Sequence, residues 1–224
     1  MRLNNPLYKN IGIHVLSSIF TVDNGVMKVL LIQRIHDPFK GKWALPGGCL
    51  YNNELVNDGA KRELKEKADV ENVELKMYKI FDRLDRSPVR RMIAIAFIGI
   101  IDKNQAKIHK ITSKSSNSDW FDIKNVPDLA YDHNEIIAGA FDELKVMIQQ
   151  TDILKSLFPD EFTLPELQQV FESILDKTFD RRNFRKKLIN SNYIIDTNKT
   201  INFKGKKPAK LYKLNRMIKS KSIF

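Results

Sequence analysis

The chain has 224 residues, 42% hydrophobic and 29% charged, enough for packed cores in one large or two modest domains. A single cysteine, Cys49, excludes an intrachain disulfide. No apolar run approaches the ~18 residues of a membrane span, and residues 1–10 lack the apolar core of a signal peptide, so the expectation is a cytoplasmic protein with no membrane role. The net charge of +11 is unevenly placed: residues 1–150 hold 22 Lys and Arg against 19 Asp and Glu, while residues 151–224 hold 16 against 8. An excess concentrated in one third of the chain points that third toward a polyanion.

In chain order, residues 11–20 and 29–33 alternate as strands around Asp23-Asn24-Gly25, an Asn-Gly hairpin signal. Residues 38–53 read as loop, with Pro38, Gly41, Pro46, Gly47 and Gly48. Residues 54–68 are rich in helix formers, residues 77–84 and 92–101 read as strands, and residues 131–150 carry the helical stripe Ile136, Ile137, Ala140, Leu144 and Met147. Trp43 and Trp120 read as core aromatics, and His133 as a cap or core-edge residue.

A break near Thr151, with Pro159 marking a turn, divides the chain into 1–154 and 155–224. Thr163 with Glu166 forms a capping-box pattern opening a helix whose apolar face is Leu164, Leu167, Val170, Phe171, Ile174 and Leu175. Asp180 is placed to cap a further helix to about Asn190. Its Phe184, Leu188 and Ile189 are expected in the core, leaving Arg181, Arg182, Asn183, Arg185, Lys186 and Lys187 outward. Residues 193–195 and 211–214 read as strands flanking a basic loop with Lys204, Lys206, Lys207 and Lys210. Helix, helix, strand, basic loop, strand is the order of a winged helix-turn-helix. Such a domain lays its second helix in the major groove, where Arg suits guanine, Asn suits adenine, and Lys holds phosphate.

One stretch of the first domain has fixed spacing. Leu45-Pro46-Gly47-Gly48 is followed, with five residues between, by Glu54 and, with seven more between, by Arg62-Glu63-Leu64-Lys65-Glu66. This resembles the Nudix box. The resemblance implies an α/β/α sandwich with a mixed sheet, in which Gly47 and Gly48 let backbone approach phosphates and Glu54 with Arg62 fix loop to helix. Carboxylates at 63, 66 and 67, which share one helix face, would hold Mg²⁺ or Mn²⁺ against a diphosphate. This sequence departs at two positions: Lys67 stands where the box has glutamate, and Asp69 where it has glycine. An ammonium on that face repels a metal. Glu63 and Glu66 are then weak ligands at best, no cofactor is required, and hydrolysis is impaired or absent. Arg83, Arg86, Arg90 and Arg91 form a cluster that reads either as a phosphate clamp or as a charged hairpin turn.

The combination resembles the Nudix-related transcriptional regulators, on residues 82–88, Asp132-His133, residues 162–168, Arg182 to Lys186 and residues 208–212. The resemblance implies an α+β chain: a Nudix ligand-sensing domain, 1–154, and a DNA-binding winged helix, 155–224. It further implies a homodimer on a palindromic operator, usually as a repressor, responding to ADP-ribose or a sugar phosphate. The alternative is a Nudix hydrolase of ADP-ribose-like nucleoside diphosphates.

Overall fold

The computed structural model describes residues 11–104, 117–149, 153–158, 160–202 and 207–215. The N-terminal part is built on a seven-stranded mixed sheet. Strands β1 (Gly12–Asp23) and β2 (Val26–Gln33) form the expected hairpin. Asn24 and Gly25, at φ of 50° and 80°, make a turn that a β-branched residue would strain. The loop expected over 38–53 contains two short strands, β3 (Trp43–Ala44) on β2 and β4 (Gly47–Cys49) on β1. Strands of two and three residues spanning Pro46 carry no alternation, so only their neighbours reveal them. Helix α1 (Val56–Ala68) follows and ends on Asp69, which takes the left-handed conformation at φ 51° in place of the expected glycine.

Strands β5 (Lys76–Phe81) and β6 (Met92–Ile100) extend the sheet, with β6 parallel to β1. Strand β7 (Asn117–Asp122), unseen in the sequence because Asn-Ser-Asp masks its pattern, pairs with β2. Alternation along β1 puts Val15 and Ile19 in a core shared with Leu64 of α1. Leu16 and Phe20 enter the opposite core, shared with Ile136, Ile137, Ala140 and Leu144 of α2 (His133–Met147). Trp43 and Trp120 are half-buried beside these cores.

The C-terminal part contains β8 (Phe162–Thr163), α3 (Leu164–Leu175), α4 (Arg181–Asn190), β9 (Ile194–Ile201) and β10 (Ala209–Leu214), with sheet order β8-β10-β9. The Thr163–Glu166 capping box is present. Asp180 accepts from the Asn183 N–H at 2.9 Å and starts α4. Phe184 and Leu188 are buried as expected, but Ile189 is 38% exposed. A helix of ten residues against a small core buries a narrow i, i+4 stripe, here Phe184 and Leu188.

This part does not stand apart from the sheet. Its core is continuous with that of α2 through Ile148, Ile153 and Leu154. The Tyr193 hydroxyl donates to the Ile148 carbonyl at 2.6 Å, and the Ser173 hydroxyl on α3 donates to the Gly25 carbonyl at the β1–β2 turn at 2.8 Å. No helix among the described residues is long and apolar enough to cross a membrane.

Candidate functional site

The loop carrying Gly47 and Gly48 crosses in front of α1 and is held there by one arginine. Arg62 donates to Glu54 through Nε at 2.8 Å and Nη2 at 2.7 Å, to Glu63 and Glu66 through Nη1 at 2.6 and 3.0 Å, and to the Cys49 carbonyl at 3.0 Å. Its guanidinium also stacks 3.8 Å from the Tyr51 ring centroid. Glu54 first, then Glu63 and Glu66, hold its pKa well above the usual arginine range. The Glu54–Arg62 clasp implied by the resemblance to the Nudix box is therefore present, and Arg62 also engages the two carboxylates expected to face a metal. A Cβ on Gly48 would fall 2.4 Å from Glu63 Oε2, so any larger residue here would displace the Glu63 carboxylate.

Lys67 Nζ lies 3.2 Å from Glu63 Oε2 and hydrogen-bonds the Gly47 carbonyl oxygen. Glu63 is buried, and its Oε2 makes no hydrogen bond apart from this ion pair. The ammonium thus stands between two oxygens that a hard divalent cation would take as ligands at about 2.0–2.6 Å. Among the described residues no three His, Cys, Asp or Glu side chains are grouped to hold a metal. On this face both carboxylates, Glu63 and Glu66, are already engaged by Arg62, and Lys67 occupies the third position.

These groups line a pocket of about 450 Å³. Its charged and imidazole-bearing walls are His14 on β1, Arg34 and His36 beyond β2, Glu63 and Lys67 on α1, and His133 at the start of α2, with Tyr51 and Tyr131 beside them. The sequence reading missed His14, Arg34, His36, Tyr51 and Tyr131. The one available signal was His14, a polar residue at an inward-pointing strand position between Ile13 and Val15. Arg34 lies 5.0 Å from the Tyr131 ring centroid and donates to the Pro38 carbonyl at 2.9 Å. Tyr131 takes φ 56°, a costly conformation for a bulky aromatic, which aims its ring at this wall.

His133 accepts from the Leu45 N–H at Nδ1, 3.0 Å away, so its proton sits on Nε2. Burial, then the Arg86 charge, lowers its pKa to about 3; burial, then Arg86 and Lys67, lowers that of His14 to about 4. Both folded values lie below the unfolded value of 6.5, so on acidification the unfolded chain takes up these protons first. Stability is expected to be level above pH ~6.5. Below it, each histidine removes up to about 1.4 kcal/mol per pH unit, toward pH ~4. Urea unfolding at pH 7 and pH 5 checks this. Equal stabilities at the two values, or a slope unchanged in His133→Gln, would exclude it.

The arginine cluster is placed otherwise than the phosphate-clamp reading expected. None of Arg83, Arg86, Arg90 or Arg91 lines the pocket. Arg86 is buried and pairs bidentately with Asp132 at 2.9 and 3.0 Å, each side chain 3% exposed, pinning the β5–β6 connection to the start of α2. Arg91 donates to the carbonyls of Asp82 and Arg83 at 2.6 and 3.0 Å. Arg83 pairs with Asp85 and Glu135, and Arg90 rests on Met92 Sδ. The sequence could not distinguish clamp from turn, because the partner of Arg86 lies 46 residues away.

The second candidate surface is on the C-terminal part. Arg181, Arg182, Asn183, Arg185, Lys186 and Lys187 are exposed on α4. All but Lys187 line a groove of about 1070 Å³, with Pro208, Lys210 and Tyr212 opposite. Arg185 leans on the Tyr212 hydroxyl at 3.3 Å, and Lys210 pairs with Asp196 at 2.8 Å. Lys207 is exposed; Lys204 and Lys206 lie outside the described residues.

A sheet between α1 and α2 with a box-bearing loop, joined to a three-stranded winged helix, defines a Nudix-type regulator architecture. Comparison with known proteins agrees: residues 13–141 match the Nudix domain, and residues 155–214 match the NrtR DNA-binding winged helix domain. The chain is 32% identical over 200 residues to the "ADPR responsive transcriptional repressor NtrR" of Acinetobacter baylyi, covering 88% of this chain and 79% of that one. It is 36% identical over 110 residues to an ADP-ribose pyrophosphatase of Methanocaldococcus jannaschii, 49% of this chain and 63% of that one. The fold is similar to that of Shewanella oneidensis NrtR complexed with a 27mer DNA, at TM-score 0.78 and 26% identity over 91% of this chain and 94% of that one. The Nudix domain of the same protein, complexed with ADP ribose, matches at TM-score 0.57 and 26% identity over 62% of this chain and 93% of that one. The chain belongs to the NrtR family, a Nudix domain followed by an NrtR winged helix.

Proposed function

We propose that this chain is an ADP-ribose-responsive transcriptional regulator, acting as a repressor. It binds duplex DNA through the winged helix and an ADP-ribose-like metabolite through the Nudix pocket. The observation that carries this is the pairing of the two surfaces in one continuous core: a basic, exposed α4 beside the β9–β10 hairpin, and a pocket lined by the box loop. The β1–β2 hairpin joins them. Its open end carries His14 and Leu16 into the pocket, and its turn is gripped by Ser173 of α3. By linkage, whatever factor effector binding applies to DNA affinity, DNA binding applies to effector affinity. In this reading the protein is a cytoplasmic homodimer on a palindromic operator, and Lys67 leaves hydrolysis negligible. Mg²⁺ and Mn²⁺ are then not required.

The second reading, a hydrolase of ADP-ribose-like diphosphates, is favoured by the Methanocaldococcus similarity and the intact Glu54–Arg62 clasp. One experiment separates the two. ADP-ribose is incubated with the protein and Mg²⁺ or Mn²⁺, and AMP is quantified alongside a gel shift on the protein's own upstream DNA. Negligible AMP with a shift that ADP-ribose alters is the expected result. Turnover at ordinary enzyme rates, on the order of 1–10³ per second, with no shift, would establish the hydrolase.

A further inference from the structure

A diphosphate entering the Nudix pocket meets charges that belong to the chain itself. The lining holds two permanent cations, Lys67 and Arg34, against one carboxylate, Glu63. Glu54 and Glu66, which would add negative charge, are turned onto Arg62. His14 and His133 stay neutral at physiological pH, because burial disfavours their charged forms. The Lys67 ammonium is not a waving surface charge. Its side chain is 17% exposed, and it is fixed on one side by Glu63 Oε2 and on the other by the Gly47 carbonyl.

We propose that Lys67 replaces the divalent cation as the charge that receives the effector's diphosphate, so that effector binding is independent of Mg²⁺ and Mn²⁺. This rests on the effector reading above, and adds to it how the phosphates are held. A hard cation recruited from solution needs several oxygen ligands and a partial loss of its water shell. A lysine needs neither, being covalently positioned, and the box loop supplies the rest of the frame. The two kinds of charge differ in their chemistry once the diphosphate is bound. A divalent metal lowers the pKa of a coordinated water and generates a nucleophile. An ammonium is a monovalent donor that attracts the diphosphate and activates no water. The same substitution thus keeps the ligand's phosphates in place and leaves the bond between them uncut, which suits a site that reads a metabolite without consuming it.

The experiment is calorimetry on the full chain with two probes, ADP-ribose and inorganic diphosphate, each in EDTA and in excess Mg²⁺. The expected result is the same ADP-ribose affinity in both buffers, with diphosphate binding weakly in both and competing with ADP-ribose. Lys67→Ala is expected to lower affinity by about tenfold or more, the loss of one charge-assisted contact. Lys67→Arg is expected to keep most of it, and Lys67→Glu to bind only when Mg²⁺ is added. Melting curves confirm that each variant is folded. Native protein that binds either probe only with Mg²⁺, or that binds neither, overturns the proposal without recourse to any variant. A folded Lys67→Ala that binds like the native chain in EDTA does so too. Diphosphate binding in EDTA without ADP-ribose binding keeps the role of Lys67 and overturns the choice of effector, which separates the two failures.

Discussion

Arg86→Ala is expected to lower the melting temperature by on the order of 10 °C. Asp132 would remain buried beneath the start of α2 with its counter-ion gone. Removing one partner of a buried pair costs about 3–5 kcal/mol, because the remaining charge is uncompensated in a poorly solvated place. In a chain of this size each kcal/mol displaces the midpoint by roughly 2–4 °C. The pair as such adds less than that figure suggests, since both ions were desolvated to form it. The double substitution Arg86→Met with Asp132→Leu is therefore expected to recover most of the loss. Calorimetric melting of the three proteins is the check. If Arg86 were instead a phosphate clamp, Arg86→Ala would melt normally and lose ADP-ribose affinity, an outcome that would restore the reading suggested by the sequence.

The larger effect on function is expected at α4. Arg182→Ala and Asn183→Ala should each weaken operator binding by about 1–3 kcal/mol and relax sequence preference, as the loss of a base-edge contact does. Both residues are exposed on the first turn of the helix, where Asp180 fixes the backbone entry, and both line the groove facing β10. Lys207→Ala should behave differently. Loss of one phosphate contact lowers affinity for all duplexes alike and flattens the dependence of log affinity on log salt by about one unit. For a dimer, the two half-sites of the operator should lie about one helical turn, ~10 bp, apart or a multiple of it. Fluorescence anisotropy on the native promoter and a scrambled duplex, at several salt concentrations, measures all of this. Equal affinity of the native protein for both duplexes at every salt would leave only generic attraction of a basic surface to DNA.

Much of this protein is local in its causes, and those parts were legible in the amino-acid order. The Asn24-Gly25 turn, the Thr163–Glu166 box and the Asp180 cap are decided by residues within three or four positions of each other, so sequence alone placed them. The resemblance to the Nudix box announced the Glu54–Arg62 clasp, which lies within a short stretch because loop and helix are adjacent in the chain. The basic face of α4 was legible for a related reason: helical periodicity sorts Phe184 and Leu188 from the arginine and lysines between them. Ile189 escaped that sorting, because how wide a stripe a helix buries depends on what packs against it. What only the tertiary structure decided is which partner each charge meets. Arg86 looked like its neighbours until Asp132 arrived from 46 residues away. Lys67 read as a lost ligand until Gly47, 20 residues before it, brought a carbonyl oxygen to its other side. His14, Arg34 and Tyr131 form one wall though 117 residues separate the first from the last. A charge or ring acts on what is near it in space, and nearness across a sheet is set by strand register and packing, which no short stretch of sequence encodes.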